Sequence, residues 1–293
     1  MRNLSLLVVV ILAALTAVAA QTASPDQSLL SRRYHDGEKL VYHMKGINQD
    51  WRYQIQATGV VKKDSNGYVE EYGWSQYVSN GNSLKLPAPA AAFRQQLTLD
   101  PGRRIGLPDL SQVDPALIGP ITDLFTFYTD VWLALKIGKL KQPGDHFYFK
   151  TGTANSWADG RYVLLGEDSI DFDITLKEVN RSDGTATLVV RHVPPAQPKI
   201  KLPAEWMQKP VADTPNNWVQ ISKPRIDKYL AAVGQESFSV EIKQSLIDGV
   251  ILSATMDNPV LTVERECEDP QATKCGEPKA HSIRRQIQIT LER

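Results

Sequence analysis

Apolar and polar side chains alternate with a period of two along most of the chain, the pattern of half-buried β-strands. Trp51, Tyr53, Ile55, Ala57 and Val61 share one parity, with Arg52, Gln54, Gln56 and Thr58 on the other. Asn66-Gly67 then predicts a hairpin turn into Tyr68–Val78, which carries Tyr68, Tyr72, Trp74 and Val78 on one face. Ile170, Phe172, Ile174 and Leu176 alternate with Asp171, Asp173, Thr175 and Lys177, and Asp183-Gly184 turns that strand into Thr185–Val193. Phe238, Val240, Ile242 and Leu246 alternate with Ser and charged residues, and Asp248-Gly249 turns them into Val250–Met256. The last strand carries Ile283, Ile287, Ile289 and Leu291. The count is about ten to eleven strands, in three blocks at 38–79, 146–193 and 236–292. One apolar and one polar face per strand is the pattern of an antiparallel sheet covered on one side.

Two long connections, at about 80–119 and 194–224, join the blocks, and 13 of the 18 prolines lie within 87–120 and 194–224. Proline removes a ladder donor, so these are not central strands; loops of this length cover a site or pack as arms. Between Asp114-Pro115 and Lys136 the periodicity changes to that of a helix rich in Leu, Phe, Tyr, Val and Trp. Its apolar residues fill more than one stripe, so it must be buried over a wide arc. A second short helix is expected over 224–233, beginning at Pro224. The expected fold is mainly β (α+β). It is a curled antiparallel sheet or incomplete β-barrel, with one long apolar helix packed on its concave side. Residues 37–293 read as a single domain after a flexible segment, 21–36.

Residues 1–20 read as a secretory signal peptide: Arg2, the apolar run Leu6–Leu15, then Ala17, Val18, Ala19 and Ala20. Its removal leaves 32 basic against 33 acidic residues, a net charge of −1. That balance offers no bulk attraction to nucleic acid. No later run is long enough to span a membrane, so after cleavage the protein is not an integral membrane protein. The expected location is periplasmic or extracellular. Cys267 and Cys275 agree with export: seven residues separate them, strand-like runs flank them, and a disulfide would pin the tip of that hairpin.

The opening Gly37-Glu38-Lys39-Leu40-Val41-Tyr42 resembles the start of exported bacterial β domains of unknown function, themselves similar to the periplasmic lipoprotein-carrier fold. The resemblance implies a half-open barrel with helices and loops over an apolar concavity, and binding of acyl chains or other lipids. It supplies no site residues.

Chemical motifs are sparse. No nucleophile elbow, His-Glu-x-x-His, Walker loop or dinucleotide fingerprint occurs. His35, His43, His146, His192 and His281 are scattered, and neither a cofactor nor a metal is expected. Glu167, Asp171 and Asp173 share a parity that could hold a cation, act as an acid/base pair or form a solvated strand face. Asn180-Arg181-Ser182 matches a glycosylation sequon and also suits a turn. Lys199, Lys201, Lys209, Arg225 and Lys228 interleave with Trp206 and Trp218, and suit a polysaccharide, a membrane surface or a loop packed on the sheet. Arg284 and Arg285 read as charges guarding an edge strand.

Phe125, Tyr128 and Trp132 fall on one helical face and, with Trp74 and Phe172, either line a cavity for an apolar ligand or pack as core. The expected function is therefore an exported, non-enzymatic protein that binds or carries an apolar or amphipathic ligand such as a lipid. The alternatives are a structural or assembly protein of the cell envelope that contacts partners through its long loops, and an envelope hydrolase with a composite site.

Overall fold

The structure is a computed structural model describing residues 29–110, 113–149, 154–158, 163–167, 171–193, 202–225 and 227–292. The signal-like segment lies outside them, as do Ile170, Lys199 and Lys201. Strands β1 (Lys39–Asn48), β2 (Trp51–Asp64) and β3 (Gly67–Ser79) form a meander. Short strands β4 (Asn82–Ser83) and β5 (Gln95–Leu97) both pair with β3 and flank the short helix α1 (Ala88–Ala92). The long helix α2 (Pro115–Ile137) follows. After it come β6 (His146–Phe149), β7 (Ala154–Ala158), β8 (Val163–Glu167), β9 (Asp171–Asn180) and β10 (Thr185–Val193). A 3-10 turn at Glu205–Gln208 precedes β11 (Trp218–Arg225), β12 (Lys228–Glu236), β13 (Phe238–Ser245), β14 (Ile251–Cys267) and β15 (Lys279–Leu291).

All 15 strands of the described residues join one antiparallel sheet, more than the ten to eleven expected, because strands also form in the expected connections (β4, β5, β11) and in place of the expected second helix (β12). The order runs β3, β2, β1, β15, β14, and beyond β14 the strands lie end to end. β12 and β13 keep a single register against β14, from Tyr229↔Cys267 through Glu236↔Val260 to Val240↔Met256. They separate at Ser237, whose N–H donates to Pro259 O at 3.3 Å. Pro259 has no N–H to return, so the ladder breaks there. β10 pairs with β13 and β11 with β12, while β9 and β8 follow in the next row and β6 and β7 in the outermost. Among the described residues, the outer rows do not pair with each other. The sheet is open and does not close into a barrel.

Helix α2 starts where Asp114 accepts from Ala116 N at 2.9 Å and Pro115 takes the first turn; it ends at Gly138, in the left-handed region at φ 64°. Every residue from Leu117 to Leu135 is buried. The expectation of an apolar helix needs amendment, because Thr122, Asp123, Thr126, Thr129 and Asp130 are buried with the rest. Thr122 and Thr126 return their hydroxyls to helix carbonyls at 2.8–2.9 Å.

Three local expectations are corrected. The run 224–233 is not a helix but parts of β11 and β12, whose Ala231 and Val233 are sandwiched between neighbouring strands. The β11 register slips between Ser222 and Arg225, around Pro224. In β3, Gln76 adopts a left-handed conformation at φ 53° within a bulge between Gln54 and Gln56 of β2. One extra residue reverses the facing of everything after it, so Tyr77 is buried and Val78 turns outward. Finally, β15 is not an edge: it lies between β1 and β14. Arg284 faces out to Asp257, at 2.7 Å from Nε, while Arg285 points into the core.

The main core lies between α2 and the strand face carrying Tyr42, Met44, Ile55, Ile174, Leu188, Val240, Met256 and Ile289. A smaller core gathers Met207, Val219, Ile221, Val233, Cys267 and Ala272. Alternation along β14 is unbroken against β15, so Val263 and Cys267 face away from the side on which Ala254 and Met256 meet the main core. Cys267 and Cys275 form the expected disulfide, and Trp206 donates to Ala272 O at 2.8 Å inside the loop it closes. On the chain-entropy model a loop this short contributes about 2–3 kcal/mol. Reduction, or the Cys267→Ser/Cys275→Ser pair, is expected to lower unfolding free energy by about that much, and to shift Trp206 fluorescence before global unfolding in a urea titration.

Candidate functional site

Two glycine–tyrosine pairs shape the chemistry beneath α2. Gly46 of β1 lies directly opposite Tyr53 of β2, and Gly59 of β2 directly opposite Tyr72 of β3. A Cβ at either glycine would overlap the tyrosine ring. Each ring can therefore lie across the neighbouring strand, and its hydroxyl reaches the helix. Tyr53 OH donates to Asp123 Oδ2, and Arg285 Nη2 donates to Asp123 Oδ1. Tyr72 OH donates to Glu70 Oε2 at 2.7 Å and lies 2.6 Å from Tyr128 OH, and Tyr128 also donates to Glu70. Arg32 closes this second cluster, with Nε 3.0 Å from Glu70 and Nη2 2.7 Å from Glu38.

The electrostatics suit anchoring rather than proton transfer. Burial raises Tyr53, Tyr72 and Tyr128 above the ordinary phenol value, with Glu70 adding to the rise at Tyr72 and Tyr128. Burial pulls the Arg285 guanidinium down to about 10, so it stays charged at neutral pH. The phenols of both clusters stay neutral there and both guanidiniums stay charged, since Arg32 titrates higher still.

Of the five side chains expected to face a ligand, Phe125, Tyr128, Trp132, Trp74 and Phe172 are each at most 5% exposed and belong to the main core. Trp132 donates to Asp100 O and Arg103 O, both at 3.1 Å, which fixes the 100–103 turn over the helix. The structure brings Tyr128 together with Glu70, Tyr72 and Arg32. Phe172 meets Phe149 at 6.4 Å between ring centroids, in another part of the core.

His43, His146 and His281 sit separately beside Glu292, Asp173 and Glu264. Among the described residues, no three metal-ligating side chains cluster. Asp171 accepts from Tyr148 OH at 2.7 Å and Asp173 lies by His146, so these two carboxylates are engaged separately; the Glu167 and Trp218 side chains lie outside the described residues. Asn180 and Ser182 bond each other at 2.7 Å within the exposed β9–β10 turn. Trp206 stacks under Arg265, 4.9 Å from its ring centroid, and serves the smaller core.

Open space lies on the solvent side of the β1–β2–β3 meander. Two adjoining grooves of about 710 and 620 Å³ share Lys45, Gln54 and Val78. Arg52 and Ile47 line the first, and Gln76, His43 and Leu84 the second. A small pocket behind the same hairpin shares Gly46, Ile47 and Tyr53 with the first groove and reaches Asp123 and Arg285. The bulge at Gln76 supplies one wall by turning Val78 outward.

Sequence reading missed Glu70, Asp123 and Arg285 as buried partners, although the first and last left a trace. Glu70 shares the parity of Tyr68, Tyr72 and Trp74, and Arg285 that of Ile283, Ile287 and Ile289. A charge at an inward position of a strand implies a buried partner.

Removing one member of a buried ion pair costs about 3–5 kcal/mol. Arg32→Ala and Asp123→Ala are each expected to lose that much in urea unfolding. Gly46→Ala is expected to destabilise comparably by displacing Tyr53 from Asp123, whereas Arg284→Ala, on the exposed side of β15, is expected to leave the urea midpoint essentially unchanged.

No protein-family model matches the chain, and no curated protein matches it.

Proposed function

We infer that the chain is an exported, non-enzymatic protein of the cell envelope that acts by contact with a protein partner, seated in the grooves over the β1–β3 meander. The observation that carries this reading is where the space lies. The large apolar side chains are packed under α2, and the grooves lie outside, on the polar face. Ile47 and Leu84 are 36% and 49% exposed at the two ends of this surface, with Lys45 and Arg52 between them. Asp50 lines the first groove as well, and apolar contacts framed by charges of both signs suit an extended amphipathic segment of a partner. The Cys267–Cys275 disulfide fits an oxidising compartment. No helix among the described residues is long and apolar enough to cross a membrane.

The carrier reading, implied by the resemblance to lipoprotein carriers, asks more of the molecule. A lipid among Phe125, Tyr128 and Trp132 would require α2 to lift from the sheet. That movement takes both donors from Asp123 and the Tyr128 hydroxyl from Glu70.

Native mass spectrometry of the chain purified from its own envelope separates the two. A protein partner is expected to accompany the wild type and to be lost from Ile47→Asp/Leu84→Asp, with the melting temperature unchanged. A bound lipid in place of a protein, or a partner that the variant retains, overturns the surface reading.

A further inference from the structure

The row formed by β10 and β11 is interrupted by the excursion that contains residues 202–217, and the strand beside it is left without a neighbour at Glu236. Asn217 stands in for the missing peptide. Its side chain accepts from Glu236 N at 2.8 Å and donates to Glu236 O at 2.9 Å. Its own N–H donates to Gly234 O at 3.0 Å. On the opposite side, Asn258 Nδ2 donates to Ser237 O at 2.8 Å. Two side-chain amides thus close the seam.

The Glu236 side chain does not fit this pattern as an anion. The residue is 2% exposed, and neither carboxyl oxygen has a hydrogen-bond partner among the described residues. The Asn258 amide interacts with it, but its Nδ2 is engaged by Ser237, and its Oδ1 is a further buried acceptor without a donor. Acceptors without a donor in a buried place are costly, and a charge there more so. A proton on Glu236 supplies the donor that the seam lacks.

Among the described residues, no neighbour compensates the charge. Gly234 and Phe238 precede and follow Glu236 on its own face, and Asn258, Val260 and Thr262 face it from β14. Arg285, across from Asn258 on β15, is bound to Asp123. His192 pairs with Phe238 on β10, and its side chain lies outside the described residues.

We propose that Glu236 is a proton-operated lock on this seam: neutral, it holds the 202–217 excursion and the start of β11 against the sheet, and ionised, it releases them. Burial pushes its carboxyl up to about 8, with Asn258 pulling slightly the other way. In the unfolded chain the same carboxyl ionises near the ordinary value of about 4.3. Between these values the folded chain keeps a proton that the unfolded chain has released. Stability is therefore fully present below the lower value, falls as pH rises through the window, and levels off above it. Release would uncover Met207 and Val219 of the smaller core, so the lock sets how much apolar surface this wing of the sheet presents.

Hydrogen exchange and thermal melts at pH 6 and pH 9 test the lock in the disulfide-intact protein. The wild type is expected to lose protection over 202–217 on going to pH 9. Its melting temperature is expected to fall by about 5 °C or more relative to Glu236→Gln, which carries a permanently neutral side chain. His192→Gln is expected to follow the wild type. An equal pH response in Glu236→Gln and wild type overturns the proposal, as does a response abolished in His192→Gln alone. Should Glu236→Gln fail to fold, carbon-13 NMR of the wild-type glutamate carboxyls decides. One carboxyl still protonated at pH 6.5 supports the lock, and none overturns it.

Discussion

Much of this structure depends on burying α2 completely. A helix enclosed from Leu117 to Leu135 has no face on which to leave a polar side chain in water. Its buried polar side chains, among them the Asp123 carboxylate and the Tyr128 phenol, must find partners inside the protein. The sheet provides them through two tyrosines, and each tyrosine reaches the helix because a glycine stands opposite. The rear anchor extends further. Arg32 binds Glu70 and Glu38 and also donates to Arg33 O and Asp248 O, while Gln244 holds Leu30 O at 2.9 Å. Gly249 is held bare by the same segment, since a Cβ there would overlap the Ser31 backbone. One polar cluster thus ties the first described residues to β3, to α2 and to the β13–β14 turn.

Continuity of the sheet is the second constraint. β14 spans 17 residues and supports β15 along most of its length on one side, with β12 and β13 end to end on the other. A proline in the middle of such a strand would ordinarily end it. Here the side chains of Asn258 and Asn217 take up the backbone groups that Pro259 and the 202–217 excursion leave unpaired. The register survives, and the two cores can occupy opposite faces of one sheet. The sealed break is also where the carboxyl of Glu236 is enclosed with no hydrogen-bond partner among the described residues, beside the segment that covers the smaller core.

Period-two alternation made the antiparallel sheet, its main turns and the disulfide hairpin legible, because each depends on local residue order. The long helix was equally legible in extent: Asp114-Pro115 marks its start, and the expected end at Lys136 lies one residue from the observed Ile137. What escaped was set by partners far along the chain. The 224–233 segment reads as a helix alone and becomes part of β11 and β12 because β14 pairs with it. The bulge at Gln76 leaves no mark in composition, yet it reverses Tyr77 and Val78. Glu70 and Arg285 were visible as charges at inward positions, but their partners, Arg32 and Asp123, lie 38 and 162 residues away. Alternation can flag such a residue without saying what receives it.

The anchoring of α2 bears on where recognition can occur. Opening the interior by lifting the helix would strip Asp123 of both its donors, at a cost of about 3–5 kcal/mol, and would take the Tyr128 hydroxyl from Glu70, which keeps Arg32 and Tyr72. A typical domain has only about 5–15 kcal/mol of total stability, so this movement competes with unfolding itself. The outer face carries no such penalty. Lys45, Arg52 and Gln54 there are solvated, and Ile47 and Leu84 gain by being covered. The buried side that makes the helix immovable leaves the polar side of the meander as the surface on which this protein can bind without breaking its own core.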